Sequence, residues 1–207
     1  AVYSTQPEEV IECAVPVEKI NEKELHRISQ LKNPNKVLAI AAIPEHQTLP
    51  EDVSSNLSLI LEDIQNPGNM GTIIRLAAWY GIRHIFCSTD TVDCYNYKVL
   101  KSTMGALFRV QVHYTDTRKL ISQASTWENF DIYATDLKGS SIYSTAIKNR
   151  GFIILGNESK GLRKTMPANN VKKIKLPSYP PQSENMESLN VAIATAIIVA
   201  EFRRRLL

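Results

Sequence analysis

The sequence lacks the long apolar run that a membrane-spanning helix needs. No apolar stretch reaches the roughly 18 residues expected of a membrane span. The longest candidate, residues 191–200, is soon followed by Glu201 and three arginines. Hydrophobic residues make up 43% of the chain and charged residues 22%, which is typical of an ordinary globular protein. We therefore expect no membrane partner.

Cysteine is scarce, and its spacing excludes two common uses. Cys13, Cys87 and Cys94 lie far apart and belong to no CxxC or HxxxH pair. This argues against a disulfide framework and against a zinc site, so we expect no metal. The three thiols are interpreted as simple buried or half-buried side chains, and a reducing cytoplasm is the expected location.

Glycine is also sparse, and no GxGxxG fingerprint of a dinucleotide site is present. The spacing of Gly156 and Gly161 would suit a Walker A loop, but Leu162 and Arg163 replace its Lys-Ser/Thr pair. The intervening Glu158 would repel a phosphate. One interpretation is therefore a turn for a cationic or neutral ligand, such as the sulfonium, adenine or ribose of S-adenosylmethionine. The other is an ordinary β-turn with a surface glutamate.

Charge of one sign does not dominate, since the net charge is only +3. This permits a nucleic-acid partner without establishing one. Lys98, Lys101 and Arg109 lie near Tyr95 and Tyr97 in the sequence and could form a basic and aromatic patch. A solvated helix face is the preferred explanation.

The pattern of hydrophobic residues divides the chain into three parts. In residues 1–43 the pattern predicts a strand (VYST), a helix (VEKINEKELHRISQL) and a second strand (KVLAIAAI). These three elements are too few for a complete domain. Residues 44–56 are polar, contain two prolines and read as a linker. Residues 57–207 form the main domain.

In the main domain, apolar strands alternate with helical patterns. The strands are LSLILEDI, HIFCS, FRVQVHY, DIYATDL, GFIILG and VKKIKLP. The helices are expected at 70–80, 95–107, 117–129 and 188–205. Such alternation predicts an α/β fold with a mostly parallel sheet and helices on both faces.

Two helix starts carry polar residues of chemical interest. Asn66, followed by Pro67, is predicted to cap the helix at 70–80, and Gly81 to end it. That helix has a small apolar packing face (Ile74, Ala77, Ala78) and an opposite face with Thr72, Arg75 and Trp79. Ser188 is the predicted N-cap of the last helix. This helix is apolar nearly all round, so it forms either a subunit interface or a fully buried core helix.

Three segments, in order, carry a family resemblance: NPGNxGxxxR from Asn66, GNExxGL from Gly156, and LP followed by SLNVAxA near the C-terminus. Together they resemble the motifs of the SpoU/TrmH branch of the SPOUT RNA methyltransferases, over roughly residues 57–205. The resemblance implies a SPOUT-type fold with a C-terminal trefoil knot and S-adenosylmethionine as methyl donor. It also implies methylation of a ribose 2′-hydroxyl in RNA by a homodimer.

The same resemblance assigns roles to residues that match the motifs. The catalytic positions are Asn66, Arg75, Glu158, Ser188 and Asn190. The positions lining the donor pocket are Leu155, Gly156, Asn157, Leu176 and Leu189. Residues 1–43 look like the C-terminal part of an RNA substrate-binding domain, which places ribosomal RNA ahead of transfer RNA as substrate. The loop at 178–187 is longer than in the family and lacks glycine, so the alternative is a non-catalytic RNA-binding homologue.

Overall fold

The computed structural model describes residues 1–44, 49–157, 161–162, 170–179 and 188–206. The chain divides into two compact units, Ala1–Gln47 and Thr48–Leu207. None of the helices in these described ranges is long and apolar enough to cross a membrane.

The first unit contains a three-stranded sheet and one helix. Its strands are β1 (Val2–Ser4), β2 (Val17–Lys19) and β3 (Val37–Ala39), with β1 in the centre, and its helix is α1 (Glu22–Ile28). The helix predicted over residues 17–31 is therefore too long. The side chain of Asn21 accepts the N–H of Glu24, and the Glu24 carboxylate accepts the N–H of Asn21. This capping box starts the helix at residue 22, and Val17–Lys19 is left to pair in parallel with β1.

The second unit contains a six-stranded sheet in which all neighbouring strands are parallel. Its order is β6-β5-β4-β8-β7-β9, where the strands are β4 (Leu57–Leu61), β5 (His84–Cys87), β6 (Gln111–Tyr114), β7 (Asp131–Ser141), β8 (Gly151–Leu155) and β9 (Val171–Lys175). The helices are α2 (Pro67–Trp79), α3 (Tyr97–Thr103), α4 (Thr117–Ala124) and α5 (Val191–Arg204). All six predicted strands are present.

The sheet has a separate apolar core on each face. Alternate residues of β4 belong to different clusters: Leu59 and Leu61 pack with residues of α2 and α5, whereas Ile60 packs with residues of α4. All five residues of β4 are buried, as expected of a central parallel strand. The predicted α/β fold with both faces of the sheet covered is confirmed.

Several element boundaries differ from the predictions for local reasons. The predicted linker at 44–56 contains a 3-10 helix, Glu51–Ser55, whose Val53 is fully buried in the α4-side core, so this part packs within the second unit. The predicted helix at 95–107 is interrupted because Met104 and Gly105 adopt left-handed backbone conformations; α3 ends there and a 3-10 helix, Ala106–Arg109, follows. Residues 180–187 of the connection from β9 to α5, part of the predicted knot, lie outside the described residues.

The thiols of the second unit are chemically inert. Burial raises the pKa of Cys87 well above its ordinary value and raises the pKa of Cys94 to about 11, so both thiols stay protonated at neutral pH. Cys13 is exposed, so the prediction of a buried or half-buried thiol is wrong at that position. All three cysteines are free.

Candidate active site

The first two motifs follow neighbouring strands of the sheet. β4 and β8 pair in parallel with Leu61 opposite Leu155, although they lie far apart in sequence. The Glu62 N–H donates to the Leu155 carbonyl at 2.9 Å, so the pairing continues into both turns. The chain order reverses between β4 and β8, because β5 and β6 follow on one side while β7 and β9 lie on the other. The carboxyl edge at such a switch point is where open α/β sheets bind ligands.

A hydrogen bond joins the two turns directly. Asn157, the second residue of the GNExxGL motif, donates its Nδ2 hydrogen to the Asp63 carbonyl at 2.8 Å. Asp63 is buried and has a left-handed backbone (φ 55°), which a non-glycine residue adopts only where its surroundings hold it. Ser88 Oγ accepts the Asp63 N–H at 3.0 Å, and Gln65 donates to Asp63 Oδ1 at 2.8 Å. Sequence reasoning missed Asp63, since nothing local marks a left-handed aspartate.

The turn after β8 is closely packed. The Gly161 N–H donates to the Asn157 carbonyl at 2.8 Å, and Gly161 has a φ of +64°. A Cβ atom on Gly156 would lie 2.6 Å from the Gly161 carbonyl carbon and 2.7 Å from the Leu162 nitrogen. Only glycine fits at position 156, so the predicted close backbone approach is present. Glu158, the predicted acidic group of this turn, lies outside the described residues.

The first motif forms the N-terminus of α2 as predicted. Asn66 Oδ1 accepts the N–H groups of Gly68 and Asn69 at 2.8 and 3.1 Å, and Pro67 occupies the first helical position. At the other end, Gly81 has a φ of +65°, and the Ile82 N–H donates to the Ala77 carbonyl at 2.8 Å. This is a Schellman-type C-terminus.

The third motif contacts the first through two asparagines. Asn190 Nδ2 donates to Asn69 Oδ1 at 3.0 Å, and both side chains lie in the first turn or cap of their helices. Asn190 is also the N-cap of α5, because its Oδ1 accepts the N–H groups of Ala192 and Ile193. The prediction that Ser188 caps this helix is therefore wrong. Ser188 lies two residues earlier and is exposed.

The predicted faces of α2 are confirmed. Ile74 and Ala77 are fully buried, whereas Thr72, Arg75 and Trp79 are exposed. Among the residues that the structure describes, Arg75 forms no ion pair, and its side chain is exposed. This places a guanidinium group on the helix that the first motif begins.

The predicted donor-pocket leucines have different environments. Leu155 is buried in β8, so only its backbone can face a ligand. Leu176 is half-buried against the main core, and Leu189 is 45% exposed beside the Asn190 cap. An exposed apolar stripe continues from Leu189 through Ile193 and Ile197, while the opposite side of α5 is buried. The alternative that α5 is a fully buried core helix is therefore wrong.

In the described ranges, no group of three or more histidine, cysteine, aspartate or glutamate side chains is arranged to hold a metal ion. Glu62, directly after β4, is buried and accepts a hydrogen bond from the Thr117 hydroxyl at the start of α4.

Comparison with known proteins gives consistent matches. The model of the SpoU rRNA Methylase family matches residues 56–200. The 23S rRNA (guanosine(2553)-2′-O)-methyltransferase RlmP of Bacillus subtilis is 27% identical over 93% of this chain and 75% of its own length. An uncharacterized tRNA/rRNA methyltransferase of Synechocystis is 30% identical over 87% of this chain, which spans only 65% of that relative.

Solved structures share the fold over nearly the whole chain. A protein of the TrmH family from Porphyromonas gingivalis superimposes with a TM-score of 0.82 at 32% identity, covering 99% of this chain and 82% of that one. An AdoMet-bound rRNA methyltransferase from Sinorhizobium meliloti gives a TM-score of 0.78 at 26% identity, covering 100% of this chain and 80% of that one.

Proposed function

This chain belongs to the SpoU rRNA Methylase family, and we propose that it transfers a methyl group from S-adenosylmethionine to a ribose 2′-hydroxyl of RNA. The observation that carries the proposal is the junction of the three motifs at one edge of the sheet. Asn157 bonds to Asp63 after β4, and Asn190 bonds to Asn69 at the start of α2. Segments distant in the sequence thus converge where α/β proteins bind ligands.

The residues present suit the methyl donor. The turn after β8 offers backbone groups at Leu155, Gly156 and Asn157, packed so closely that a side chain at position 156 is excluded. Leu176 and Leu189 add apolar surface, half-buried and exposed respectively. We assign these five residues to donor binding. The donor, when bound, supplies an electrophilic methyl group.

The chemistry requires the 2′-hydroxyl to lose its proton as its oxygen attacks the methyl carbon. Holding the oxygen, the methyl carbon and the sulfur in line would contribute much of the rate acceleration. We do not assign Arg75 as the base, because a guanidinium group carries five N–H donors and no acceptor, so its suited role is to donate hydrogen bonds.

We assign Arg75 to the phosphate next to the target ribose and to the oxygen that becomes an alkoxide. Its exposed position on α2, without an ion-pair partner among the described residues, leaves both contacts available. The proton of the 2′-hydroxyl then passes to that phosphate or to water. Asn66, Ser188, Asn190 and Glu158 would orient the ribose or the guanidinium. Asn66 and Asn190 are already held by the helix ends that they cap.

We further propose that the active form is a homodimer. The apolar stripe Leu189, Ile193 and Ile197 on α5 is solvent-exposed, and the exposed Trp79 ends the neighbouring helix α2. Burial of these side chains against a second copy would remove exposed apolar surface of the kind that marks subunit interfaces. The stripe begins at the Asn190 cap, so the partner would lie beside the active site.

Ribosomal RNA is the preferred substrate class, with transfer RNA as the alternative. The first unit supports this order, because it provides a separate small domain of the kind expected to bind RNA. The free thiols support a reducing compartment such as the cytoplasm.

The decisive experiment uses labelled S-adenosylmethionine with separate pools of unmodified ribosomal and transfer RNA. We expect label in one pool, and nuclease digestion should recover it on the ribose rather than on the base. Label on the base would contradict the proposal. Calorimetry measures donor binding separately: the absence of both label and donor binding would favour the alternative, a non-catalytic RNA-binding homologue.

A further inference from the structure

A polar pocket lies at the opposite edge of the sheet from the candidate active site. It has a volume of about 430 Å³ and opens at the amino ends of β5 and β6. The two edges are separated by at least the length of β5, about 13 Å for four residues. Its walls include Asp52, Arg83, His84, Phe108, Arg109 and Gln111.

Phe108 is the most unusual group in this pocket. Its side chain is 94% exposed, so it contributes almost nothing to the core. It lies in the 3-10 helix Ala106–Arg109, which is anchored because Ala106 and Leu107 pack against the main apolar cluster. The phenyl ring is therefore presented on a fixed backbone. Proteins that bind single-stranded nucleic acid use exposed aromatic rings of this kind as platforms on which bases stack.

Two guanidinium groups line the same pocket as the ring. Arg109 follows Phe108 directly and is exposed, and Arg83 lies 3.8 Å from Asp52 through Nη1 and Oδ2. The buried side chain of His84 holds Asp52, with 2.9 Å between Nε2 and Oδ1, and Asn56 donates to Asp52 Oδ2 at 3.2 Å. Asp52 is thus a positioning residue for Arg83. Two positive groups against one carboxylate leave the pocket with a net positive charge, which favours an anionic ligand.

Two exposed lysines lie on the surface between this pocket and the active site. α3 and the 3-10 helix after it lead from the carboxyl edge of the sheet back to the pocket, and α3 packs against α2 through Ser102 Oγ and the Pro67 carbonyl at 3.2 Å. Lys98 and Lys101 project from α3 into solvent. Phosphates of a strand lying along this face would meet both lysines.

From these groups we infer that the pocket binds one unstacked nucleotide of the RNA substrate, separate from the nucleotide that is methylated. Phe108 stacks on its base, Arg83 and Arg109 contact its phosphates, and Gln111 reaches the base edge. Guanidinium groups match phosphate oxygens in geometry as well as in charge. This inference rests on the proposed function in one respect, namely that the ligand is RNA.

The test is RNA binding by the full chain, with a short fluorescein-labelled single-stranded RNA of mixed sequence as the probe. Fluorescence anisotropy is measured over a range of salt concentrations. Phe108→Ala should raise the Kd about 5- to 100-fold through the lost stacking, whereas Phe108→Tyr, which keeps an aromatic ring, should bind like the wild type. Arg109→Ala should weaken binding and reduce the salt slope by about 0.7.

Matched controls separate this pocket from general surface effects. Tyr143→Ala removes another exposed aromatic ring, and Arg118→Ala removes an exposed arginine from α4; both should keep the wild-type Kd. In methyl transfer, Phe108→Ala should raise the KM for RNA and leave kcat within about twofold. The lost contact lies far from the reacting atoms, so it should weaken the bound substrate and the transition state equally. Its donor affinity by calorimetry should also be unchanged.

Two outcomes would overturn the inference. One is wild-type RNA affinity in both Phe108→Ala and Arg109→Ala. The other is a change in the sedimentation mass of Phe108→Ala, which would make this face a contact between copies. The proposed function is judged separately. If the wild type transfers methyl groups and Phe108→Ala has no effect, only the pocket proposal is contradicted. If Phe108→Ala loses RNA affinity but the wild type transfers no methyl group, only the proposed activity is contradicted.

Discussion

The side chain of Asn190 makes two kinds of hydrogen bond, and substitutions can separate their contributions. Its Oδ1 caps α5 by accepting the N–H groups of Ala192 and Ile193, and its Nδ2 donates to Asn69 Oδ1 at 3.0 Å. Asn190→Ala removes both. Asn190→Asp keeps an oxygen for the cap, next to the positive end of the helix dipole, and removes only the donor.

The two contributions have different sizes. Loss of an N-cap side chain costs about 1 kcal/mol, and loss of one exposed hydrogen bond costs about 0.5–1 kcal/mol. Asn190→Ala should therefore lower the free energy of unfolding by about 1.5–2 kcal/mol, and Asn190→Asp by about 0.5–1 kcal/mol. Ser188→Ala is the control, because Ser188 is exposed and does not cap α5, and its change should stay within about 0.5 kcal/mol.

Urea unfolding followed by circular dichroism measures these differences, provided that the slope with denaturant is the same for all variants. An Asn190→Ala protein as stable as the wild type would refute the capping argument. Equal destabilisation by alanine and aspartate would refute the claim that the Oδ1 cap and the Nδ2 donor contribute separately to stability. If the Nδ2 group also orients substrate, Asn190→Asp should lose methyl transfer while remaining folded at the assay temperature.

Three further predictions concern the site and its support. Arg75→Ala should reduce methyl transfer about a hundredfold or more while the donor Kd from calorimetry is unchanged; tight RNA binding with normal turnover would contradict the role given to Arg75. Gly156→Ala, whose Cβ would lie 2.6 Å from the Gly161 carbonyl carbon, should displace the turn and weaken donor binding at least tenfold; wild-type affinity would show that the turn is not part of the pocket. Hydrogen bonds from Arg204 and Arg205 lower the pKa of Glu201 to about 2. Because the folded-state pKa lies below the ordinary carboxyl value, this stabilisation is present at neutral pH and is lost as the pH falls from about 4.3 towards 2. Thermal unfolding of Glu201→Gln should lack that part of the pH dependence, and an unchanged profile would count against the ion pairs.

Local signals account for much of what could be predicted. The buried strand 57–61, the cap at Asn66 and the glycine end at Gly81 depend on residues close in sequence, and all three are present. The same is true of the two faces of α2.

Three predictions failed where the local sequence does not decide the structure. Ser188 and Asn190 are both good capping residues, and the asparagine prevails because its amide also reaches Asn69 across to α2. The helix predicted at 95–107 ends at Met104 because the backbone adopts a left-handed conformation there. A methionine gives no sign of this, since glycine is the usual residue in that conformation. Residues 51–55 read as linker, yet Val53 fills a place in the core of the second unit.

By itself, the sequence determined the alternation of strands and helices, the three motifs and the residue types available for chemistry. The tertiary structure alone decided that β4 pairs with β8 rather than with another strand, and hence that Asp63 meets Asn157. Strand order depends on how the whole sheet packs beneath its helices, because pairing between distant segments is favourable only when both faces of the sheet are covered at once. The candidate active site is a consequence of that order.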